Sequence, residues 1–325
     1  MFRDKIGSFT GLFFISVFAA LLLVTSLPLQ AQLSFRRGQH VEPAYEGWRE
    51  NPDGTYSFVF GYFNENWEQE LDISVGDLNF FSPGDTDRGQ PTHFLPRRNR
   101  FTFEVVVPSD WGDRELVWTI TSPNGETRSA YATLATDYGI DNMVIASETG
   151  SLGAGTSSPE SRSNTPPVVT VTGDRSRTVR AGEPLRLLTN VADDGLPKSR
   201  RNRDPEDGSP AVELPVESRM LRPPRRSTVG KTNGLFLSWN VYRGPGSPDT
   251  QYKVQFDPPQ SKPWEDTRTS ANSPWGPLWT PPLVPADGNF EVEITFDEPG
   301  SYVLWARADD GGLFHDQYVT VTVTP

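Results

Sequence analysis

Cysteine is absent from the 325-residue chain, so disulfides, thiolate nucleophiles and thiolate metal sites are excluded. Histidine is scarce, with only His40, His93 and His315, and there is no nucleophile elbow, zincin helix or phosphate-binding loop. The sequence therefore assigns no catalytic residue and predicts a protein that is not an enzyme. Paired carboxylates of the glycosidase kind stay open as an alternative, because spacing in sequence does not reveal spacing in a fold.

Basic residues are fewer than acidic residues. The chain has 30 Lys and Arg against 42 Asp and Glu, which gives a formal net charge of −12. Because phosphate binding requires a basic surface, nucleic acid is not expected as a partner.

Only one long apolar run is present, at residues 12–24. It is shorter than the roughly 20 residues that span a bilayer, and Arg3 and Lys5 precede it. The pattern predicts a signal peptide over residues 1–31 with cleavage after Ala31, and an uncleaved anchor is the alternative. We expect a secreted or periplasmic protein without a membrane span after cleavage.

Glycine and proline are abundant, with 28 and 30 residues, and apolar residues alternate along short segments. Phe101, Phe103, Val105 and Val107 are one such period-two run, and no sustained helical period interrupts residues 32–147. Residues 148–167 are small, polar and end in Pro-Pro, which predicts a flexible linker. Residues 168–325 hold seven further strand candidates. The prediction is an all-β chain of two β-sandwich domains.

Five motifs follow one another along the C-terminal half. They are Asn164-Thr165-Pro166-Pro167-Val168, Asp193-Asp194-Gly195, Leu237-Ser238-Trp239, Glu298-Pro299-Gly300-Ser301-Tyr302 and Asp309-Asp310-Gly311. With these motifs the C-terminal half resembles a PKD-type immunoglobulin-like domain. Two long insertions, at 198–233 and 258–288, depart from the compact module. The resemblance implies extracellular adhesion, spacing or ligand presentation. Residues 32–147 contain Phe60-Gly61-Tyr62-Phe63-Asn64, Asn79-Phe80-Phe81-Ser82-Pro83 and Val117-Trp118-Thr119. With these motifs they resemble an uncharacterised β-sandwich module of secreted bacterial proteins, which implies export and a β fold only.

Strand direction in such a sandwich brings the turns after the second and sixth strands to one pole. Four carboxylates, those of Asp193, Asp194, Asp309 and Asp310, are expected there. Like charges at short range require neutralisation, by Ca²⁺ or by basic side chains, or else remain solvated. Residues 198–231 supply nine Lys and Arg against five acids, which favours salt bridges over calcium. No cofactor other than this calcium ion is expected.

The 258–288 insertion holds eight prolines together with Trp264, Trp275 and Trp279. Such a loop either binds a ligand, since Trp stacks on sugars and anchors partners, or covers its own domain. Strand alternation places Phe236 and Trp305 outward on one sheet, where they would form an aromatic stripe beneath the loop. The five aromatic residues are therefore the candidate ligand-binding set.

These observations predict an exported, non-enzymatic binding, adhesion or scaffolding protein of the bacterial cell envelope. Its expected partner is a glycan or an envelope protein. A purely structural spacer is one alternative. A carbohydrate-active hydrolase with a carboxylate site in the interdomain cleft is the other.

Overall fold

The computed structural model describes residues 36–148, 159–198, 234–246, 253–260 and 284–325. Within these ranges the chain is almost entirely β-structure, so the predicted all-β class is confirmed. The strands form an N-terminal sandwich and a C-terminal sandwich. The described residues contain no helix that is both long and apolar enough to cross a membrane.

Eight strands build the N-terminal sandwich. They are β1 (Val41–Glu50), β2 (Tyr56–Asn64), β3 (Leu71–Asp72), β4 (Asn79–Ser82), β5 (His93–Phe94), β6 (Arg97–Val107), β7 (Leu116–Thr121) and β8 (Thr127–Ala132). One sheet has the order β1-β2-β6 and a second has the order β4-β7-β8, while β3 and β5 form a separate antiparallel pair.

Aromatic side chains fill the space between these sheets. Trp118 of β7 stacks on Phe81 with ring centroids 5.8 Å apart and meets Phe103 of β6 edge-on at 5.0 Å. The indole N–H of Trp118 donates to Asn79 Oδ1 at 2.9 Å, so the polar atom of this fully buried ring is satisfied. The alternation predicted for residues 101–107 is confirmed for Phe103, Val105 and Val107, which all belong to this core. Phe101 belongs to a different buried cluster, because the register of β6 against β2 shifts at this point.

Eight strands also build the C-terminal sandwich. They are β9 (Val168–Val171), β10 (Ser176–Arg180), β11 (Pro184–Ala192), β12 (Phe236–Arg243), β13 (Val254–Asp257), β14 (Asn289–Phe296), β15 (Gly300–Asp309) and β16 (Phe314–Thr324). The sheet orders are β13-β14-β11-β9 and β10-β16-β15-β12, and β10 runs parallel to β16. This strand order is that of an immunoglobulin-like sandwich.

Trp239 and Tyr302 occupy positions in the C-terminal core that are typical of immunoglobulin-like sandwiches. Trp239 of β12 is 1% exposed and packs between the sheets. Tyr302 of β15 donates its hydroxyl to the Glu298 carbonyl at 2.9 Å, which fixes the corner between β14 and β15. Val241 and Leu304 point into the same core, next to Trp239 and Tyr302.

The seven strands predicted for this half are present, and β10 is an eighth strand that was not predicted. Its sequence, Ser-Arg-Thr-Val-Arg, contains one apolar residue, and no residue in it is fully buried. Edge strands of this kind are held by backbone pairing rather than by a hydrophobic face. Apolar alternation therefore cannot reveal them.

A 3-10 helix (Thr136–Tyr138) and two short α-helices, α1 (Asn142–Glu148) and α2 (Pro159–Ser163), follow the N-terminal sandwich. Helix α2 lies within residues 148–167, where composition predicts a flexible linker. Ser161 and Asn164 are nevertheless 4% and 7% exposed. The described end of this segment is therefore packed against its surroundings.

Candidate functional site

The four predicted aspartates lie on two turns at one end of the C-terminal sandwich. Residues 193–197 follow β11, and residues 310–313 connect β15 to β16. Asn164 donates its amide N–H to Asp310 Oδ2 at 3.1 Å. Thr165 donates its backbone N–H and its hydroxyl to Asp194 Oδ2 at 2.8 and 2.7 Å. These two adjacent residues tie the turns together, so the turns share the pole that strand direction predicts.

Backbone amides satisfy much of the carboxylate charge at this pole. Asp310 Oδ1 accepts from the N–H groups of Gly312 and Leu313 at 2.6 and 2.7 Å. Burial and the charge of Asp309 still raise the pKa of Asp310 to about 7. The basic segment that is predicted to neutralise the pole, residues 198–231, lies outside the described residues except for Lys198, so the salt-bridge interpretation stays a prediction.

Two oxygens at the same pole accept no hydrogen bond from the described residues. They are Asn164 Oδ1 and Asp193 Oδ1, and both are buried. Burial and the neighbouring Asp194 also raise the pKa of Asp193. Carboxylate and amide oxygens of this kind suit Ca²⁺. Yet no three of the four aspartates bring carboxylate oxygens within 4.8 Å of one another, so the carboxylates alone form no cage.

The aromatic candidates separate into two groups. Trp264, Trp275 and Trp279 lie outside the described residues. Phe236 and Trp305 are 2% and 1% exposed, so in this arrangement a ligand reaches neither ring. Their outward placement on the β12–β15 sheet is as predicted, and on that face Trp305 packs into a cluster of the N-terminal sandwich.

An apolar interface joins the two sandwiches. Trp305 of β15 and Tyr242 of β12 belong to the same buried cluster as Tyr62 and Phe94 of the N-terminal sandwich. A second cluster joins Val59 and Phe101 to Ile145 of α1 and to Leu313 of the C-terminal sandwich. The outer face of one sheet is therefore an interior surface of the two-domain protein.

Two arginines of the C-terminal sandwich anchor this interface. Arg243 makes a two-point ion pair with Asp87 at 2.7 and 3.0 Å and donates from Nε to the Gln90 carbonyl at 2.8 Å. Arg307 is 6% exposed, pairs with Asp316 at 2.7 Å and donates to the Phe101 carbonyl at 2.6 Å. Each guanidinium therefore bonds to the backbone of the other domain.

Backbone groups also bond across the interface. The N–H of Thr92 donates to the Tyr242 carbonyl at 3.1 Å, and the N–H of Gly244 donates to Thr92 Oγ1 at 3.2 Å. The hydroxyl of Tyr242 donates to the Gly89 carbonyl at 2.5 Å. These bonds fix residues 89–92 against the end of β12.

A buried ion cluster lies next to this contact. His93 Nε2 is 2.8 Å from Glu70 Oε2, and His93 Nδ1 is 3.0 Å from Asp72 Oδ1. The three side chains are 1%, 4% and 2% exposed. Burial alone lowers the pKa of His93, but the two carboxylates outweigh it and raise the pKa to about 9. The imidazole is therefore a cation at neutral pH and donates from both nitrogens.

The sequence analysis did not single out this cluster. Glu70 and Asp72 are two residues apart, which places them on one face of an extended segment, and this was a usable signal. His93 reaches them only because β3 and β5 pair Asp72 directly with His93. The cluster has the composition of an acid–base site, but its burial keeps substrate away from all three side chains.

Comparisons with known proteins leave the family open. No protein-family model matches the chain, and no curated protein matches it. Among solved structures, a chimeric titin Z1Z2 has 9% identity and a TM-score of 0.22, and the match covers 89% of this chain and 100% of that one. The D00-D0 domain of intimin has 9% identity, a TM-score of 0.22 and coverages of 87% and 100%.

The S-layer protein SbsC, in its domains 4 and 5, gives 10% identity and a TM-score of 0.21, over 88% of this chain and 98% of that chain. Overall superposition is poor in all three cases. The immunoglobulin-like assignment therefore comes from the strand order of the chain itself.

Proposed function

We propose that the chain is an exported, non-enzymatic scaffold of the bacterial cell envelope, in which a PKD-type sandwich is locked to an N-terminal sandwich. The observation that carries the proposal is the shared interface, with Trp305 and Tyr242 buried in a cluster of the N-terminal sandwich. Neighbouring domains move relative to each other by default, unless their interface is large and apolar. A locked pair presents its loops in one fixed geometry.

The same interface disfavours the hydrolase alternative. An interdomain carboxylate site requires an open cleft between the sandwiches. In the described residues the contact is filled by aromatic rings and by arginines bonded to backbone carbonyls. The His–acid cluster nearest to it is buried.

Export, by the signal peptide at residues 1–31, is part of this proposal.

Recognition of a glycan or an envelope protein is proposed for Trp264, Trp275 and Trp279. We expect the purified mature protein to cosediment with isolated cell-wall polysaccharide, and its Trp fluorescence to change on binding. A variant with all three residues changed to Ala should lose cosedimentation while keeping its β-sheet circular dichroism. Equal cosedimentation of the two proteins would show that these three tryptophans do not bind the polysaccharide. Release of soluble sugars from the polymer would favour the hydrolase.

Calcium binding at the acidic pole is a second proposal, favoured by the unpartnered oxygens of Asn164 and Asp193. Calcium at about 100 times its Kd would stabilise the folded state by about 2.7 kcal/mol. The double change Asp193→Asn and Asp309→Asn should then lower the melting temperature in calcium but not in chelator.

The matched control for the calcium test removes two exposed carboxylates elsewhere, with Asp77→Asn and Asp113→Asn. It should keep the full stabilisation by calcium. Equal loss of stability by the pole variant in calcium and in chelator would exclude calcium and leave hydrogen bonding as the role of the aspartates.

A further inference from the structure

We infer that His40, Glu42 and Glu65 form a site for a transition-series divalent cation of the zinc class. Among the described residues, these three are the only group of His, Asp and Glu side chains whose ligand atoms all lie within 4.8 Å of one another. None of them belongs to the acidic pole or to the interdomain interface.

Strand geometry brings the three side chains together. His40 precedes β1, and Glu42 lies two residues further along, so both point to the same face of the sheet. The N–H of Glu65 donates to the His40 carbonyl at 3.1 Å, which continues the pairing of Val41 with Asn64 and sets Glu65 directly opposite His40. The set therefore consists of one imidazole and two carboxylates on one face of two paired strands.

Hydrogen bonds hold the backbone in place next to His40 and at Glu65. Gln39 donates its N–H to Asn66 Oδ1 at 2.8 Å, and Asn66 Nδ2 returns a bond to the Gln39 carbonyl at 3.0 Å. The Glu65 carbonyl accepts from Arg97 Nη1 at 2.7 Å, and the Arg97 guanidinium lies over Trp67, 4.0 Å from the ring centroid. The ligand-bearing strand ends are therefore positioned before any ion binds.

Distances and exposure fit a bound ion. His40 Nε2 lies 3.0 Å from Glu42 Oε1, a few tenths of an ångström less than the separation of about 3.3–3.6 Å between tetrahedral ligands held at about 2.0–2.2 Å from a metal. The side chains of His40 and Glu42 are 12% and 44% exposed, so the ion can enter from solvent.

Local charge also favours a dication. Arg128 Nε is 3.4 Å from Glu42 Oε1, while its Nη1 is 2.8 Å from Glu126 Oε2. Glu42 and Glu126 share one guanidinium, and the carboxylate of Glu65, within 4.8 Å of Glu42, adds a further negative charge. Arg128 keeps Glu126 as a partner when Glu42 turns toward an ion.

The imidazole of His40 indicates which class of metal ion the site would bind. Ca²⁺ and Mg²⁺ take oxygen ligands, whereas imidazole nitrogen combined with carboxylate oxygen suits Zn²⁺ and its neighbours in the transition series. Three protein ligands leave a coordination position for water. A bound ion would fasten the beginning of β1 to the end of β2.

The test is isothermal titration of the chelator-stripped mature protein with zinc chloride. We expect a site that His40→Gln and Glu65→Gln each weaken at least tenfold, since loss of even an outer partner of a metal ligand costs about 10- to 100-fold. Both variants should keep the circular dichroism and the melting temperature of the parent protein in chelator. Glu50→Gln, which removes an exposed carboxylate at the other end of β1, should bind zinc as the parent does.

Two results would overturn the inference. One is an unchanged zinc affinity in His40→Gln, which would place the ion elsewhere. The other is no zinc binding by the parent protein at micromolar concentrations, which would leave His40, Glu42 and Arg128 as an ordinary surface ion-pair group. A parallel titration with calcium chloride should show no effect of His40→Gln, which separates this site from the acidic pole.

Discussion

Replacing His93 with Gln lowers the free energy of unfolding by roughly 3–5 kcal/mol, the range for breaking a buried ion pair. The reason is that Glu70 and Asp72 then lose the imidazole that lies between them, while their side chains stay buried at 4% and 2% exposed. Urea denaturation at neutral pH measures the difference. A loss below 1 kcal/mol would contradict the account, because it would mean that the carboxylates reach water or other partners.

Two controls separate charge from packing at His93. The triple variant with Glu70→Gln, Asp72→Asn and His93→Gln also removes the two buried carboxylate charges. It should regain at least half of the lost stability. His315→Gln replaces a partly exposed histidine whose Nδ1 accepts one backbone N–H at 3.0 Å. It should cost about 0.5–1.5 kcal/mol, the usual net value of one hydrogen bond.

The same cluster predicts a pH dependence of defined sign. The pKa of His93 is about 9 in the folded protein and 6.5 in an unperturbed histidine, so folding binds a proton between these values. The stabilisation is therefore complete below about pH 6.5 and is lost as the pH rises through 9. His93→Gln should flatten this part of the stability curve measured from pH 6 to 9.5. Identical curves for the two proteins would contradict the raised pKa.

Replacing Trp305 with Ala lowers the free energy of unfolding by about 3–5 kcal/mol, as expected for a buried Trp. Trp305 lies on the outer face of its sheet, where an isolated domain would leave it in water. It is 1% exposed because the N-terminal sandwich covers it. The loss of stability in Trp305→Ala therefore includes the lost contacts between the two sandwiches.

Leu188 provides the matched control for Trp305. It lies on β11, in the other sheet of the C-terminal sandwich, and is 42% exposed. Leu188→Ala should change stability by less than about 0.5 kcal/mol, as is usual for surface substitutions. A cost below 1 kcal/mol for Trp305→Ala in urea denaturation would show that the sandwiches do not bury this ring in solution.

Strand alternation carries much of the fold prediction. It identifies the inner and outer faces of β12 and β15, because period two assigns each residue to one side of a sheet. It places Trp305 and Phe236 on an outer face but cannot name what packs on that face. The cover is a separate domain, and the buried cluster that Trp305 shares with residues such as Tyr62 joins distant parts of the chain.

The candidate sites show the same limit. The shared pole of Asp194 and Asp310 follows from strand direction, so topology alone reveals it. The contact of His93 with Asp72 depends on the register between β3 and β5, which are two residues long and have no alternation to read. Short strands are held by tertiary contacts, and their pairing is therefore not encoded in a local pattern.

The central claim is that the two sandwiches form one cooperative unit. Differential scanning calorimetry of the mature protein tests it directly, since two-state unfolding requires equal calorimetric and van't Hoff enthalpies. We expect a single transition with an enthalpy ratio near one, and Trp305→Ala should lower its temperature without splitting it. Two resolved transitions in the parent protein, or a ratio near two, would contradict the claim and favour independent domains on a linker.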